Sequence, residues 1–198
     1  MVLYASALCV RLGSTTQAGF EVIRQIWIFT IQFFECLNVA TQSLCASYLG
    51  ARDAPNARGV LRRVLFLGFA VSSAVGAAVW LLQGPVLAFF TSDAAVIREA
   101  LLTLPMLCLM FPLDAAASAM DGGLLAAQQT GWLSGIQIAG AVGQYGVLVY
   151  LSSSGLVTVL TIWACLKLLT VARAAGGFYV NFLSPDSAYM GRGIAAKA

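Results

Sequence analysis

A chain of 198 residues that is 60% hydrophobic and only 10% charged is not a water-soluble domain, where roughly a quarter of residues carry charge. Its net charge of +3 does not mark a nucleic-acid binder, because the few basic residues lie at segment ends and form no broad patch. The sequence contains no histidine, which excludes His-based triads, His metal sites and the usual near-neutral pH switch.

Residues 1–10 (MVLYASALCV) are apolar but shorter than the ~20 residues a helix needs to cross a bilayer. They show neither the basic start nor the cleavage site of a signal peptide. We therefore read the chain as opening inside a helix, as a fragment or a truncated gene model would. Five long apolar segments follow, at 19–49, 59–83, 95–129, 131–151 and 155–177. The first and third exceed the crossing length and are expected to tilt or protrude. Gly50-Ala51-Arg52-Asp53-Ala54-Pro55 breaks the chain after the first, and Gln83-Gly84-Pro85 ends the second. Thr91-Ser92-Asp93 reads as the N-cap of the third, with acidic Glu99 close behind. Ser152-Ser153-Ser154-Gly155 separates the last two. The predicted fold class is all-α: a polytopic membrane helix bundle over residues 1–183, with about five complete transmembrane helices and an N-terminal stub. A polar, Gly-rich tail, 184–198, is expected to be flexible.

Arginines orient this bundle. Arg52, Arg58, Arg62 and Arg63 fall at one loop, and Arg173, Arg192 and Lys197 near the C-terminus fall on the same predicted side. The opposite side has only Arg11 and Arg98. By the positive-inside rule the first set faces the cytoplasm, or the stroma of a plastid.

Three carboxylates lie inside apolar segments: Glu35, Asp114 and Asp121. A charge near the bilayer centre costs at least ~3 kcal/mol on insertion scales, so such groups usually face a protein interior or a wet cavity where ions or solutes bind. At 100° per residue, Arg24 and Gln42 fall about 20° from Glu35, Glu21 about 40°, and Gln32 and Asn38 about 60° on either side, forming one polar stripe. In the third span Asp114, Asp121 and Gln128 share a face at seven-residue steps. Pro105 and Pro112 in the same span each free a backbone carbonyl, which is one way transporters build ion sites; a simple kink is the other reading. Gly131, Gly135, Ala139 and Gly143 form a small-residue ridge suited to close helix packing, with Gln137 and Gln144 on roughly the opposite face. Lys167 either snorkels to the interface or pairs with an aspartate, and snorkelling is the expected outcome. The five cysteines (Cys9, Cys36, Cys45, Cys108 and Cys165) show no metal or redox spacing and read as packing residues. With no phosphate-binding loop and no nucleophile–base pair, any transport would be driven by an ion gradient.

The stretches RLGSTTQAGFEVIRQIWIF and ECLNVATQSLCASYLGARDAPNARGVLRR resemble the seventh-to-ninth helix region of the multidrug and toxic compound extrusion (MATE) transporters. FFTSDAAVIREALLTLPMLCLMFPLDAAASAMDGGLLAAQQTG resembles their tenth helix and the amphipathic segment before it. The resemblance covers about residues 5–180 and is nearest to plastid-type plant and algal members. It implies the C-terminal six-helix lobe of a twelve-helix antiporter, with most of its first helix absent.

The resemblance further implies exchange of H⁺ or Na⁺ for an organic solute or xenobiotic, with no enzymatic activity and no cofactor beyond that coupling ion. Glu35 falls where plastid-type members carry an acid in the eighth helix, and Asp121 falls on the acidic-Gly pair of the tenth. These two would be the coupling or solute-contacting carboxylates, with Asn38, Gln42, Asp114 and Arg24 in support. The implied partners are the lipid bilayer, a small organic solute, and either the missing N-terminal lobe or a second copy. The implied location is a plastid envelope or thylakoid membrane, or otherwise the plasma or vacuolar membrane. A lipid-linked glycan flippase and a non-transporting helical subunit remain the alternative readings.

Overall fold

The structure is a computed structural model that describes residues 2–185 and 187–190. Its helices are α1 (Val2–Leu12), α2 (Ser14–Gly50), α3 (Ala54–Leu81), α4 (Gln83–Phe90), α5 (Ala94–Ala126), α6 (Thr130–Ser154) and α7 (Val159–Phe178). A π-helical turn (Tyr179–Leu183) and a 3-10 turn (Ala188–Met190) follow. There is no strand among the described residues. Helix α3, helix α5 and the stretch Val159–Met190 are long and apolar enough to cross a membrane. The 37 residues of α2 rise about 55 Å and the 25 of α6 about 37 Å, at 1.5 Å per residue. The outer surface carries large apolar side chains, among them Phe29, Phe66, Phe89 and Leu109, as a lipid-facing surface does.

Helix ends follow local chemistry. Asp53 caps α3 by accepting from the Asn56 amide at 3.2 Å, and Asp93 caps α5 by accepting from Ala95 at 2.8 Å. Thr158 and Thr161 form a reciprocal capping box, so α7 begins at Val159, later than the expected 155. Gly155 closes α6 in the left-handed region, φ 69°, where a side chain would be strained. The second span does end at Gln83-Gly84-Pro85, α3 stopping at Leu81, and the same residues open the short helix α4, which the sequence did not indicate. Proline is tolerated in a first turn because its missing N–H would be unpaired there anyway.

Helix α5 is the hub. It packs on α2, α3 and α7 and also touches α4 and α6. Its run Ala115–Gly123 is almost entirely small residues, and close backbone approach is what holds helices together where lipid removes the hydrophobic drive between them. A Cβ added at Gly122 would collide with the Asn38 carbonyl of α2. One added at Gly177 of α7 would lie 2.6 Å from Met120 Cβ.

Four local expectations are corrected. The ridge Gly131, Gly135, Ala139 and Gly143 meets no other helix closely at its glycines among the described residues. The three glycines have nothing within 4 Å of an added Cβ, and α6 meets α7 through Gly140 (against Leu169 and Ala172) and Ile136 (against Gly176). Helix α5 stops at Ala126, so Gln128 leaves the shared acidic face; it sits past the helix end with φ 54° and is exposed. The carbonyl freed by Pro112, that of Cys108, faces α3: an added Cβ on Gly76 would lie 2.7 Å from it, away from the acids.

The start of the expected loose tail is the fourth correction. Ser184, Ser187 and Tyr189 are buried, and the Tyr189 hydroxyl donates to the Gly123 carbonyl at 2.8 Å. Burial of that aromatic ring outweighs the polarity of its neighbours. Residues 191–198, including Arg192 and Lys197, lie outside the described residues. Arg58 stacks its guanidinium over Phe182, 5.5 Å from the ring centre, and its Nη1 reaches the Met190 sulfur at 3.4 Å. The start of α3 and the C-terminal segment therefore lie at the same end of the bundle.

Candidate functional site: a polar core between three helices

On α5, Asp114, Ser118 and Asp121 lie within about 60° of arc. They line the seam where α5 meets α2 and α7. Each has a partner from a neighbouring helix, and the partners differ in kind.

Asp114 is buried, at 2% exposure, and so is Lys167 of α7, at 4%. Lys167 Nζ donates to Asp114 Oδ2 at 2.5 Å, and the Thr170 hydroxyl donates to Oδ1 at 3.1 Å. The same ammonium stands 5.3 Å from the centre of the Trp27 ring of α2. The expectation that Lys167 snorkels is thus corrected. Its carboxylate partner lies one helix away, and pairing removes the cost of a lone buried charge that snorkelling would otherwise have to avoid.

Asp121 is held by Arg173 of α7, whose Nε and Nη2 donate to Oδ2 at 2.9 and 2.6 Å. Arg173, counted from sequence as a topology residue, is therefore part of the polar core. Gln137 of α6 also approaches this carboxylate.

Glu35 differs. It is half-buried and makes no ion pair with Lys or Arg among the described residues. Its Oε1 accepts from the Ser118 hydroxyl at 3.2 Å and its Oε2 from the Asn38 amide at 3.1 Å. Glu35 and Asp121 lie close enough for their charges to interact, so two of the predicted site acids share one region.

The remaining predicted residues divide. Asn38 is at Glu35. Arg24 is a separate unit three turns away on α2, paired with Glu21 at 2.5 Å. Gln42 is exposed and makes no side-chain hydrogen bond to the acids among the described residues. Sequence reasoning missed Ser118, Thr170 and the role of Arg173, and it ranked the pairing of Lys167 with an aspartate second. The steps of three from Lys167 to Thr170 to Arg173, set against 114, 118 and 121, were the available signal. Among the described residues no group of His, Cys, Asp and Glu forms a metal cluster.

Comparisons with known proteins bear on this arrangement. A family model described as MatE matches residues 2–144. Protein DETOXIFICATION 43 of Arabidopsis thaliana is 26% identical over 178 residues, covering 87% of this chain and 34% of the relative. Protein DETOXIFICATION 42 from the same plant is 29% identical, covering 90% of the chain and 34% of the relative. Protein DETOXIFICATION 44, chloroplastic, also from Arabidopsis thaliana, is 28% identical over 87% of the chain and 33% of its own length. The chain spans about a third of the length of these curated relatives. No solved structure matches it.

Proposed function

The chain belongs to the MatE family, and from that premise we propose that it forms one lobe of a secondary antiporter that exchanges H⁺ or Na⁺ for an organic solute. The lobe corresponds to the C-terminal half of the plastid-type members, and a second lobe or a second copy completes the cavity. The share of the relatives that the chain spans supports this reading. The relative whose name says chloroplastic supports a plastid envelope or thylakoid location. The α3 arginines and the C-terminal segment then face the stroma.

The observation that carries the proposal is the division of labour among the three acids. Two are neutralised by cations of α7; among the described residues Glu35 is met by a hydroxyl and an amide and by no cation. A carboxylate with neutral partners in a low-dielectric wall can take up a proton and release it when the cavity hydrates. It can equally ligate Na⁺, with the Ser118 hydroxyl and the Asn38 amide oxygen as further hard donors. Glu35 is therefore the coupling group. Asp121, close enough for its charge to interact with that of Glu35, transmits the change in charge to Arg173 and α7. Asp114 and Lys167 hold α5 and α7 together through the cycle. Arg24 and Gln42 line the approach and have no role in coupling.

The test is solute-dependent dissipation of a pH or sodium gradient in proteoliposomes, run across organic cations and anions. The 198-residue chain is reconstituted both as a monomer and as a covalently linked pair. Coupled exchange is expected from the linked pair alone, with Glu35→Gln abolishing it while insertion is unchanged. Full exchange by Glu35→Gln would overturn the coupling assignment, and robust exchange by a proven monomer would overturn the shared-cavity reading.

A further inference from the structure

Near the start of α3 lies a surface groove of about 410 Å³ lined by Gly59, Arg62, Arg63 and Phe66. At 100° per residue these four residues span about 100° of one helix face. Both arginines are exposed, and neither makes an ion pair or a side-chain hydrogen bond among the described residues. Arg58, one turn earlier, is committed elsewhere, to Phe182 and Met190. Asp53, the acid that precedes α3, is occupied as the N-cap and by the Asn56 side chain at 2.7 Å. Two guanidinium groups thus share a groove with no anion to answer them among the described residues.

The groove's depth identifies what answers them. From Val64 to Leu81 α3 carries no charged residue. That stretch rises about 27 Å, close to the ~30 Å of a hydrocarbon core. Arg62 and Arg63 therefore stand at the boundary where lipid phosphates lie. Above them Gly59 leaves open space, with nothing within 4 Å of an added Cβ. Below them Phe66 is 77% exposed, beside Leu67 and Phe69, an apolar wall for an acyl chain. A groove with cations at phosphate depth, room above and aromatic surface below has the shape of a phospholipid.

We propose that this groove is a binding site for an anionic phospholipid, with Arg62 and Arg63 on the headgroup phosphate and Phe66 along the acyl chain. A zwitterionic headgroup fits less well because its ammonium or choline meets the same two cations. Attraction worth about 1 kcal/mol per basic residue near an anionic surface corresponds to roughly a tenfold or greater preference for the two together.

The experiment uses the whole chain in nanodiscs made from an equimolar mixture of phosphatidylcholine and phosphatidylglycerol. The protein is then extracted into mild detergent, and retained lipid is quantified by native mass spectrometry. The wild-type protein is expected to retain phosphatidylglycerol in roughly tenfold preference. Arg62→Gln with Arg63→Gln loses the preference, Arg62→Lys with Arg63→Lys keeps most of it, and Arg11→Gln at the other end of the bundle changes nothing. Circular dichroism of each variant confirms that the bundle is intact. Equal retention of the two lipids by the wild-type protein would overturn the proposal, as would undiminished preference in the folded double glutamine variant. Displacement of the lipid by millimolar inorganic phosphate would also overturn it, because a soluble anion would then be the ligand.

Discussion

Replacing Lys167 by methionine removes the ammonium and nearly preserves side-chain volume, so what is lost is the ion pair and not the packing. Asp114 is then left 2% exposed with the Thr170 hydroxyl at 3.1 Å as its remaining donor. Breaking a buried pair from one side costs about 3–5 kcal/mol. Insertion scales give about 2.5–3.5 kcal/mol for an aspartate left alone at mid-membrane. The overlap of the two ranges sets the expected loss at about 3 kcal/mol.

Asp114→Asn alone leaves the ammonium against an amide oxygen and the face of Trp27, partners that hold the loss to the low end of the same range, about 3 kcal/mol. In the double variant no charge remains. The asparagine keeps its contact with Thr170, and the loss falls to about 1 kcal/mol. The coupling energy of the cycle is therefore well above the ~0.6 kcal/mol average of polar contacts in a membrane bundle. The assay is reversible unfolding of the purified chain in mixed micelles of rising dodecyl sulfate content, followed by far-UV circular dichroism. Additive losses in the double variant would refute the reasoning, because Lys167 and Asp114 would then contribute independently.

Other outcomes follow from the same contacts. Gly122→Ala drives a methyl into the Asn38 carbonyl and is expected to destabilise by about 1–3 kcal/mol. Gly135→Ala, in open space, is neutral or slightly stabilising; equal effects in the same unfolding assay would count against the α2–α5 packing. A cysteine at Asn56 is expected to react with an impermeant maleimide only from the stromal or cytoplasmic face, and one at Gln83 only from the other. Labelling of both from one side would remove α3 as a crossing helix.

Much of this protein was legible in its sequence because a bilayer leaves few choices. Every backbone polar group must be satisfied within its own segment, so the long apolar runs could only be helices. Asp93 marked the start of α5 by chemistry that needs no neighbours, and the segments around Asp53 and Gly155 marked breaks whose capping residues the structure identifies. The intramembrane acids also announced themselves, since an unpaired carboxylate in lipid is too costly to be incidental. Their partners were not legible. The interaction of Asp114 with Lys167 joins residues 53 positions apart, and that of Asp121 with Arg173 joins residues 52 apart. Angular position on a single helix says nothing about which helix lies opposite. Lys167 therefore read first as a snorkelling residue and only second as an aspartate's partner, Arg173 read as a topology charge, and Glu35 looked no different from Asp121. Likewise the glycine ridge of α6 was a correct reading of spacing with no partner on that face, whereas Gly140, outside it, makes the contact with α7. Helix existence is a local property of the chain in lipid. Which charges are neutralised, and which acid is left with neutral partners among the described residues, depends on the packing of α7 against α5, which only the tertiary structure decided.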